Sequence, residues 1–70
     1  MQKEYIINLK FGDQRWQVWL VGEDSQEAKK EWENSLQGLE EVGENSSSPQ
    51  EFFDNAIRYF KKNGFKRIAR

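Results

Sequence analysis

Residues 3–21 read KEYIINLKFGDQRWQVWLV and hold the most regular pattern in this 70-residue chain. Apolar and polar side chains alternate over Lys3–Phe11 and again over Arg15–Val21, as they do in half-buried β-strands. Gly12-Asp13, between the two runs, is a recognised two-residue hairpin turn. The stretch therefore predicts an antiparallel hairpin over 3–21, with these side chains on its inward face: Tyr5, Ile7, Leu9, Phe11, Trp16, Val18 and Leu20.

The register of this hairpin is open between two alternatives. A turn closed by two residues sets Leu9 opposite Trp16, whereas a shift by two positions sets Phe11 opposite Trp16. Both registers keep the same side chains inward, because the side-chain period of a strand is two. The shifted register has the advantage that Lys10 does not face Arg15, since like charges opposite each other destabilise a strand pair.

The apolar spacing becomes helical after Gly22. A helix is predicted over 25–37, extending at most to Val42, and its apolar stripe has four members at intervals of four, four and three residues: Ala28, Trp32, Leu36 and Leu39. Asp24 with Glu27 is the capping box expected at its start.

Two glycines are candidates for the end of this helix. Gly38 is the first and Gly43 the second, because glycine commonly terminates helices in a left-handed conformation. The helix is therefore predicted to end at about Gln37, with fraying as far as Val42, and the alternative for residues 39–42 is a short edge strand.

A polar loop over 43–48 separates this helix from a second one. Ser48-Pro49-Gln50-Glu51 is the strongest local signal of the chain, with serine as the cap, proline at the first helical position and glutamate closing a capping box. The predicted helix covers 49–63, and its apolar stripe has five members: Phe52, Phe53, Ala56, Ile57 and Phe60.

The second helix is expected to end at Asn63-Gly64, and a short last strand is predicted over 65–69. The fold class is therefore α+β in the order β-β-α-α-β, as one small domain covering residues 1–70. Two antiparallel helices packed on one face of a small three-stranded sheet are the economical arrangement. Whether the last strand pairs beside the first strand or the second is left open.

Composition limits the classes of function. With 36% hydrophobic, 33% charged and 14% aromatic residues, the chain is too apolar and too aromatic for a disordered segment. It holds no cysteine and no histidine, which excludes disulfides, thiolate metal sites and the usual general base near neutral pH. We expect a non-enzymatic cytoplasmic protein without cofactor or metal. We expect no membrane contact either, since no apolar run approaches the roughly 20 residues of a membrane helix.

Two clusters of acidic residues are the candidates for a cation site. Glu23-Asp24-Glu27 and Glu40-Glu41-Glu44 offer the oxygen ligands that hard cations prefer, but neither has the alternating spacing of a calcium loop. We interpret both clusters as solvated helix faces and helix-end charges.

Charge is distributed unevenly along the chain, although the net charge is only −1. Residues 1–22 carry a net charge of +1, residues 23–51 carry −7 and residues 52–70 carry +5. Such asymmetry is typical of electrostatic binding surfaces. The alternative interpretation is that Lys61 and Lys62 complement the negative C-terminal end of their own helix.

The outward side of the hairpin is the predicted binding surface. If the helices cover the opposite side, Trp19 and Ile6 form an exposed apolar spot with Lys10 and Arg15 at its rim. Tryptophan beside arginine is typical of protein–protein hot spots, so we expect a protein partner or a second copy of the chain. The alternative is a single-stranded nucleic acid stacked on Trp19, with its phosphates bound by three basic residues: Lys66, Arg67 and Arg70.

Overall fold

The structure is a computed structural model and describes residues 1–68. These residues form five elements in the predicted order: β1 (Gln2–Phe11), β2 (Gln14–Glu23), α1 (Gln26–Glu44), α2 (Pro49–Lys62) and β3 (Lys66–Arg67). All strand pairs are antiparallel, and the strand order is β1-β2-β3. The predicted α+β arrangement is therefore confirmed, and the last strand lies beside β2. Position 69 of the predicted last strand lies outside the described residues.

The hairpin closes at its two-residue turn. Phe11 lies opposite Gln14 and Leu9 opposite Trp16, so the register shifted by two residues is wrong. Gly12 has a φ of 60° while Asp13 does not have a positive φ, which fits a turn that requires glycine at its first central position. This register places Lys10 directly opposite Arg15.

Helix α1 starts one residue later than the predicted capping box requires. Ser25, with extended backbone angles, is the N-cap, and its hydroxyl accepts a hydrogen bond of 3.1 Å from the backbone N–H of Ala28. Asp24 instead forms an exposed ion pair with Lys29, with 3.9 Å between the nitrogen and the nearest carboxylate oxygen. The predicted Asp24–Glu27 box is therefore wrong, because the residue after Asp24 provides the capping oxygen.

Helix α1 also continues past both predicted glycine ends, to Glu44. An added Cβ at Gly38 would overlap the hydroxyl of Tyr59, so this glycine allows α2 to approach rather than ending the helix. The predicted end at Gln37 is wrong, and so is the alternative strand over 39–42.

The two helices are antiparallel. Ser35 in α1 accepts a hydrogen bond of 2.9 Å from the side chain of Asn63, just after α2, whereas Gly43 near the end of α1 lies beside Phe52 at the start of α2. The buried position in the middle of α1 is Ser35, and Leu36, expected in the apolar stripe, is 40% exposed. Trp32 and Leu39 of the predicted stripe do pack against the core, so the prediction is wrong at Leu36, where the neighbouring Ser35 takes the position that faces α2.

Both ends of α2 lie where the sequence signals place them. The Ser48 hydroxyl accepts a hydrogen bond of 3.2 Å from the backbone N–H of Glu51, as predicted for the cap. The Glu51 carboxylate accepts one of 2.8 Å from the Ser47 hydroxyl, so the predicted capping box is wrong in its second half, in which Glu51 would accept from the N–H of Ser48. At the other end, Gly64 has a φ of 98°, and the N–H of Phe65 donates to the carbonyl of Phe60 at 2.8 Å. These bonds are those of a glycine-terminated helix.

The core lies between the sheet and the helices, and within residues 1–68 it has nine buried hydrophobic members: Tyr5, Ile7, Leu9, Val18, Leu20, Phe52, Ala56, Phe60 and Phe65. Phe65 is at its centre, with ring centroids 5.0 Å from Tyr5 and 5.1 Å from Trp32. The Tyr5 hydroxyl donates to the carbonyl of Glu23 at 2.8 Å. Burial, with a smaller contribution from the Asp24 carboxylate, raises the pKa of the Tyr5 phenol.

The Phe65 ring packs directly on the backbone of Gly22. A Cβ at Gly22 would lie 2.6 Å from the nearest ring atom of Phe65, whereas a Cβ at Gly43 would meet nothing closer than 3.6 Å. We predict that Gly22→Ala lowers the free energy of unfolding by about 1–3 kcal/mol through overpacking. The matched Gly43→Ala raises it by up to about 1 kcal/mol through helix propensity. Denaturant unfolding of both variants checks this, and an unchanged Gly22→Ala would contradict it.

Capping of α2 generates a second prediction. Ser48→Ala is expected to lower the free energy of unfolding by about 1 kcal/mol, because the N–H of Glu51 loses its acceptor. Ser47→Ala removes only an exposed hydrogen bond to a carboxylate and is expected to cost less than half as much. Chemical denaturation of the two variants compares them, and equal losses would show that the cap is not the stabilising element.

Candidate functional site

The face of the sheet turned away from the helices, called here the outer face, carries every second residue of the strands. Along β1 the even-numbered side chains lie on it, because the odd-numbered Tyr5, Ile7 and Leu9 are buried under the helices. The pairing of the strands carries this assignment across the sheet. The outer face therefore has these members in its central part: Glu4, Ile6, Asn8, Lys10, Arg15, Gln17, Trp19, Val21, Lys66 and Ile68.

Three apolar side chains form a row across all three strands. Ile6 lies opposite Trp19, and the backbone N–H of Ile68 donates to the carbonyl of Trp19 at 2.8 Å, which sets Ile68 on the other side of it. Ile6 is 46% exposed, while Trp19 and Ile68 are half-buried. We call these three residues the apolar row. It is the hydrophobic feature on a face that is otherwise mostly polar.

A pair of cations lies on the same face, nearer the hairpin turn. Lys10 and Arg15 face each other directly, are both exposed, and form no ion pair with any residue among 1–68. We call them the cationic pair. Like charges in this position cost stability, and an anion bound between them would remove that cost.

Two amide side chains lie between the apolar row and the cationic pair. Asn8 and Gln17 are opposite each other, and with the cationic pair they line a shallow open depression. Lys10 is four positions after Ile6, which is about 13 Å along a strand. The outer face thus offers an apolar contact, two amides and two positive charges in a line.

The structure places the predicted site residues unequally. Ile6, Lys10 and Arg15 are exposed as expected, but Trp19, which was expected to be exposed, is half-buried. The reason is that Trp19 lies in the central strand, between two neighbours, and the sequence left the position of the last strand open. For the same reason the sequence did not identify Ile68 as a residue of this face. The feature that could have indicated it is its position three residues after Phe65, within the predicted last strand.

The basic residues of the nucleic-acid alternative do not share one surface. Lys66 lies beside Val21 on the outer face. Arg67 pairs with Leu20 and therefore lies on the helix side, where its guanidinium is 5.0 Å from the ring centroid of Phe53. Arg70 lies outside the described residues.

The two acidic clusters lie apart from this site. All six of their carboxylates are exposed: Glu23, Asp24, Glu27, Glu40, Glu41 and Glu44. Among residues 1–68, no three potential ligands are grouped so that they could hold a metal ion. In the same part of the chain, no helix is long and apolar enough to cross a membrane.

Comparisons of the chain with protein families, with curated proteins and with solved structures found no match. The interpretation of the site therefore depends on the chemistry of its own residues.

The cationic pair generates a prediction for the protein alone. Arg15→Gln is expected to raise the free energy of unfolding by about 0.2–1 kcal/mol at low ionic strength, because it removes a like-charge pair. The gain is expected to shrink at about 1 M salt, where charges are screened within about 3 Å. Arg15→Lys keeps the charge and is the control, with no gain expected. Thermal and denaturant unfolding at two salt concentrations measure this, and a loss of stability in Arg15→Gln would contradict it.

Proposed function

We propose that this protein is a non-enzymatic binding module of the cytoplasm that holds a protein partner on its outer face. The observation that carries the proposal is the combination, on the sheet face turned away from the helices, of an apolar row and a cationic pair that forms no ion pair within residues 1–68. Apolar anchors with arginine at the rim are the composition of protein-binding surfaces. A cysteine-free and histidine-free chain whose carboxylate clusters are solvated is consistent with binding rather than catalysis.

The chemistry of the face specifies the partner. Ile6 and Ile68 on either side of Trp19 accept an apolar side chain. Lys10 and Arg15, about 13 Å away along the strands, bind a carboxylate. The amides of Asn8 and Gln17 lie between the two places and can both donate hydrogen bonds to a peptide backbone and accept them from it. The partner is therefore a protein segment with an apolar anchor followed by an acidic residue.

A single-stranded nucleic acid is the alternative occupant, and the placement of charges argues against it. Stacking on Trp19 with phosphates held by Lys66 needs further cations on the same face, whereas Arg67 lies over Phe53 on the helix side. The exposed carboxylates of α1, in the segment of charge −7, repel phosphates as well. We expect no binding of mixed-sequence RNA or DNA tighter than about 10⁻⁴ M at 200 mM salt.

The test compares two exposed hydrophobic residues on different surfaces. Ile6 is 46% exposed on the outer face, and Leu36 is 40% exposed on α1, so serine at either position removes similar apolar area. We expect a partner captured by the wild-type protein and then purified to bind Ile6→Ser at least about tenfold more weakly, and Leu36→Ser equally well. Arg15→Glu is expected to weaken binding by a similar factor.

The measurements are a calorimetric titration with the purified partner and fluorescence anisotropy with single-stranded RNA and DNA at about 50 and 200 mM salt. Retention of affinity in Ile6→Ser, or loss in Leu36→Ser, would contradict the proposal. Micromolar nucleic-acid binding with a steep salt dependence, of slope roughly −2 for three phosphate contacts, would favour the alternative. Binding of a second copy in place of another protein would be seen as self-association that Ile6→Ser abolishes.

A further inference from the structure

Strand β1 forms one edge of the sheet over ten residues. The backbone groups of its odd-numbered residues bond to β2, as two hydrogen bonds indicate. The N–H of Asp24 donates to the carbonyl of Met1, which continues the pairing of β1 with β2, and the carbonyl of Trp19 accepts from the N–H of Ile68 on the β3 side. The even-numbered residues therefore direct their N–H and C=O groups away from the sheet. Within residues 1–68, these groups of Ile6, Asn8 and Lys10 bond to no other backbone.

This edge lacks three of the usual protections against further pairing. Protected edges are short, bulged, interrupted by proline or lined with charged side chains, and of these β1 has only the charges, at Lys3, Glu4 and Lys10. Strand β3, the opposite edge, is two residues long. Strand β1 pairs with β2 without interruption over all ten positions and holds no proline. The outward backbone groups of Ile6, Asn8 and Lys10 are therefore a template for another strand.

We propose that β1 pairs antiparallel with β1 of a second copy of this chain, which joins the two sheets into one of six strands. A two-fold axis perpendicular to the sheet relates the copies, and such an axis makes an isologous interface. It keeps the helices of both copies on the same side, so buried side chains continue to meet buried side chains across the join. The inner faces contribute apolar neighbours from both copies: Tyr5, Ile7 and Leu9.

Charge selects one register among the few that satisfy this symmetry. If Ile7 lies opposite itself, Glu4 of each copy lies opposite Lys10 of the other, and Ile6 lies opposite Asn8. Sliding the copies by two residues in one direction puts Lys10 opposite Gln2, and in the other direction it puts Lys10 opposite Ile6. The first register therefore has two attractive cross-strand pairs, related by symmetry, each of a kind that stabilises strand pairing.

The chosen register also satisfies the backbone. Even-numbered residues face even-numbered residues, so four pairs exchange roughly eight hydrogen bonds across the axis. Glu4 of the second copy brings a carboxylate to Lys10, which the monomer sets against Arg15. Ile6 and its symmetry mate become diagonal neighbours on the outer face, within reach of each other. The edge contact shares Lys10 with the cationic pair, but it is argued from the backbone and the charges of β1, so the inference does not rest on the proposed function.

The test exchanges the charges at the two positions. Glu4→Lys and Lys10→Glu, each alone, place like charges opposite each other twice and are expected to weaken self-association by about tenfold or more. An equimolar mixture of the two variants restores both attractive pairs, as does the double variant Glu4→Lys/Lys10→Glu. Sedimentation equilibrium over a wide dilution series measures the association constants. Dimers in the wild type, weakened in each single variant and restored in the mixture, are the expected result.

A second pair of variants tests the backbone bonds. Asn8→Pro removes an N–H that points away from β2, so the monomer keeps its fold while the join loses hydrogen bonds. Asn8→Ala loses the same side chain but keeps the N–H and is expected to dimerise. Circular dichroism verifies the fold of both variants. If the proline variant unfolds, the charge-exchange experiment with Glu4 and Lys10 still tests the inference.

Three results would overturn the inference: a monomeric wild type at all concentrations, dimers indifferent to the single charge reversals, or reversals that the mixture fails to restore. Each is distinguishable from failure of the proposed function, since Ile6→Ser removes only the diagonal contact between the two Ile6 side chains, keeps the backbone bonds and both charge pairs, and is expected to dimerise.

Discussion

The packing of the Phe65 ring on the backbone of Gly22 is the contact on which the rest of the structure depends. The ring also meets Tyr5 from β1 and Trp32 from α1 at centroid distances near 5 Å, so one side chain joins the hairpin, the first helix and the start of the last strand. Only a glycine admits the ring at this distance. Phe65 in turn is placed by the left-handed Gly64 and by its own N–H bond to the carbonyl of Phe60. A small core of nine residues is closed by this single ring.

The consequence for function is a division of the sheet into two unlike faces. Because both helices pack on the side of Tyr5 and Leu20, the aromatic residues are concentrated there, and the outer face retains the apolar row and the cationic pair. The end of the chain contributes to both faces: Arg67 covers Phe53 on one side, and Ile68 adjoins Trp19 on the other. The same arrangement leaves β1 as a long edge. Binding on the face uses side chains alone, whereas pairing at the edge uses the outward backbone groups of β1 and shares the Lys10 side chain with the face.

The local signals predicted most of the secondary structure because they act over a few residues. Alternation in the first 21 positions indicates a strand pair. Ser48-Pro49 starts α2, because the Ser48 hydroxyl accepts a hydrogen bond from the N–H of Glu51. The failures have a common cause. Gly38 is a residue type typical of helix ends, yet it lies within α1 and makes room for Tyr59 from α2. Leu36 belongs to the apolar stripe by its spacing but faces solvent, because Ser35 beside it bonds to Asn63. Each depends on a residue about 20 or more positions away.

The candidate site shows the same difference between what local sequence predicts and what contacts between distant residues decide. The sequence by itself determined that Ile6, Lys10, Arg15 and Trp19 lie on one face, because the side-chain period of a strand is two. It did not determine that the cations face each other, since the hydrophobic pattern is the same in both registers; the two-residue turn made that choice. Nor did it determine that Ile68 lies beside Trp19. That required β3 to pair with β2, and Phe65 brings it there by packing against Gly22 at the end of β2. Short-range periodicity assigns residues to faces, and only tertiary packing decides which faces and edges meet.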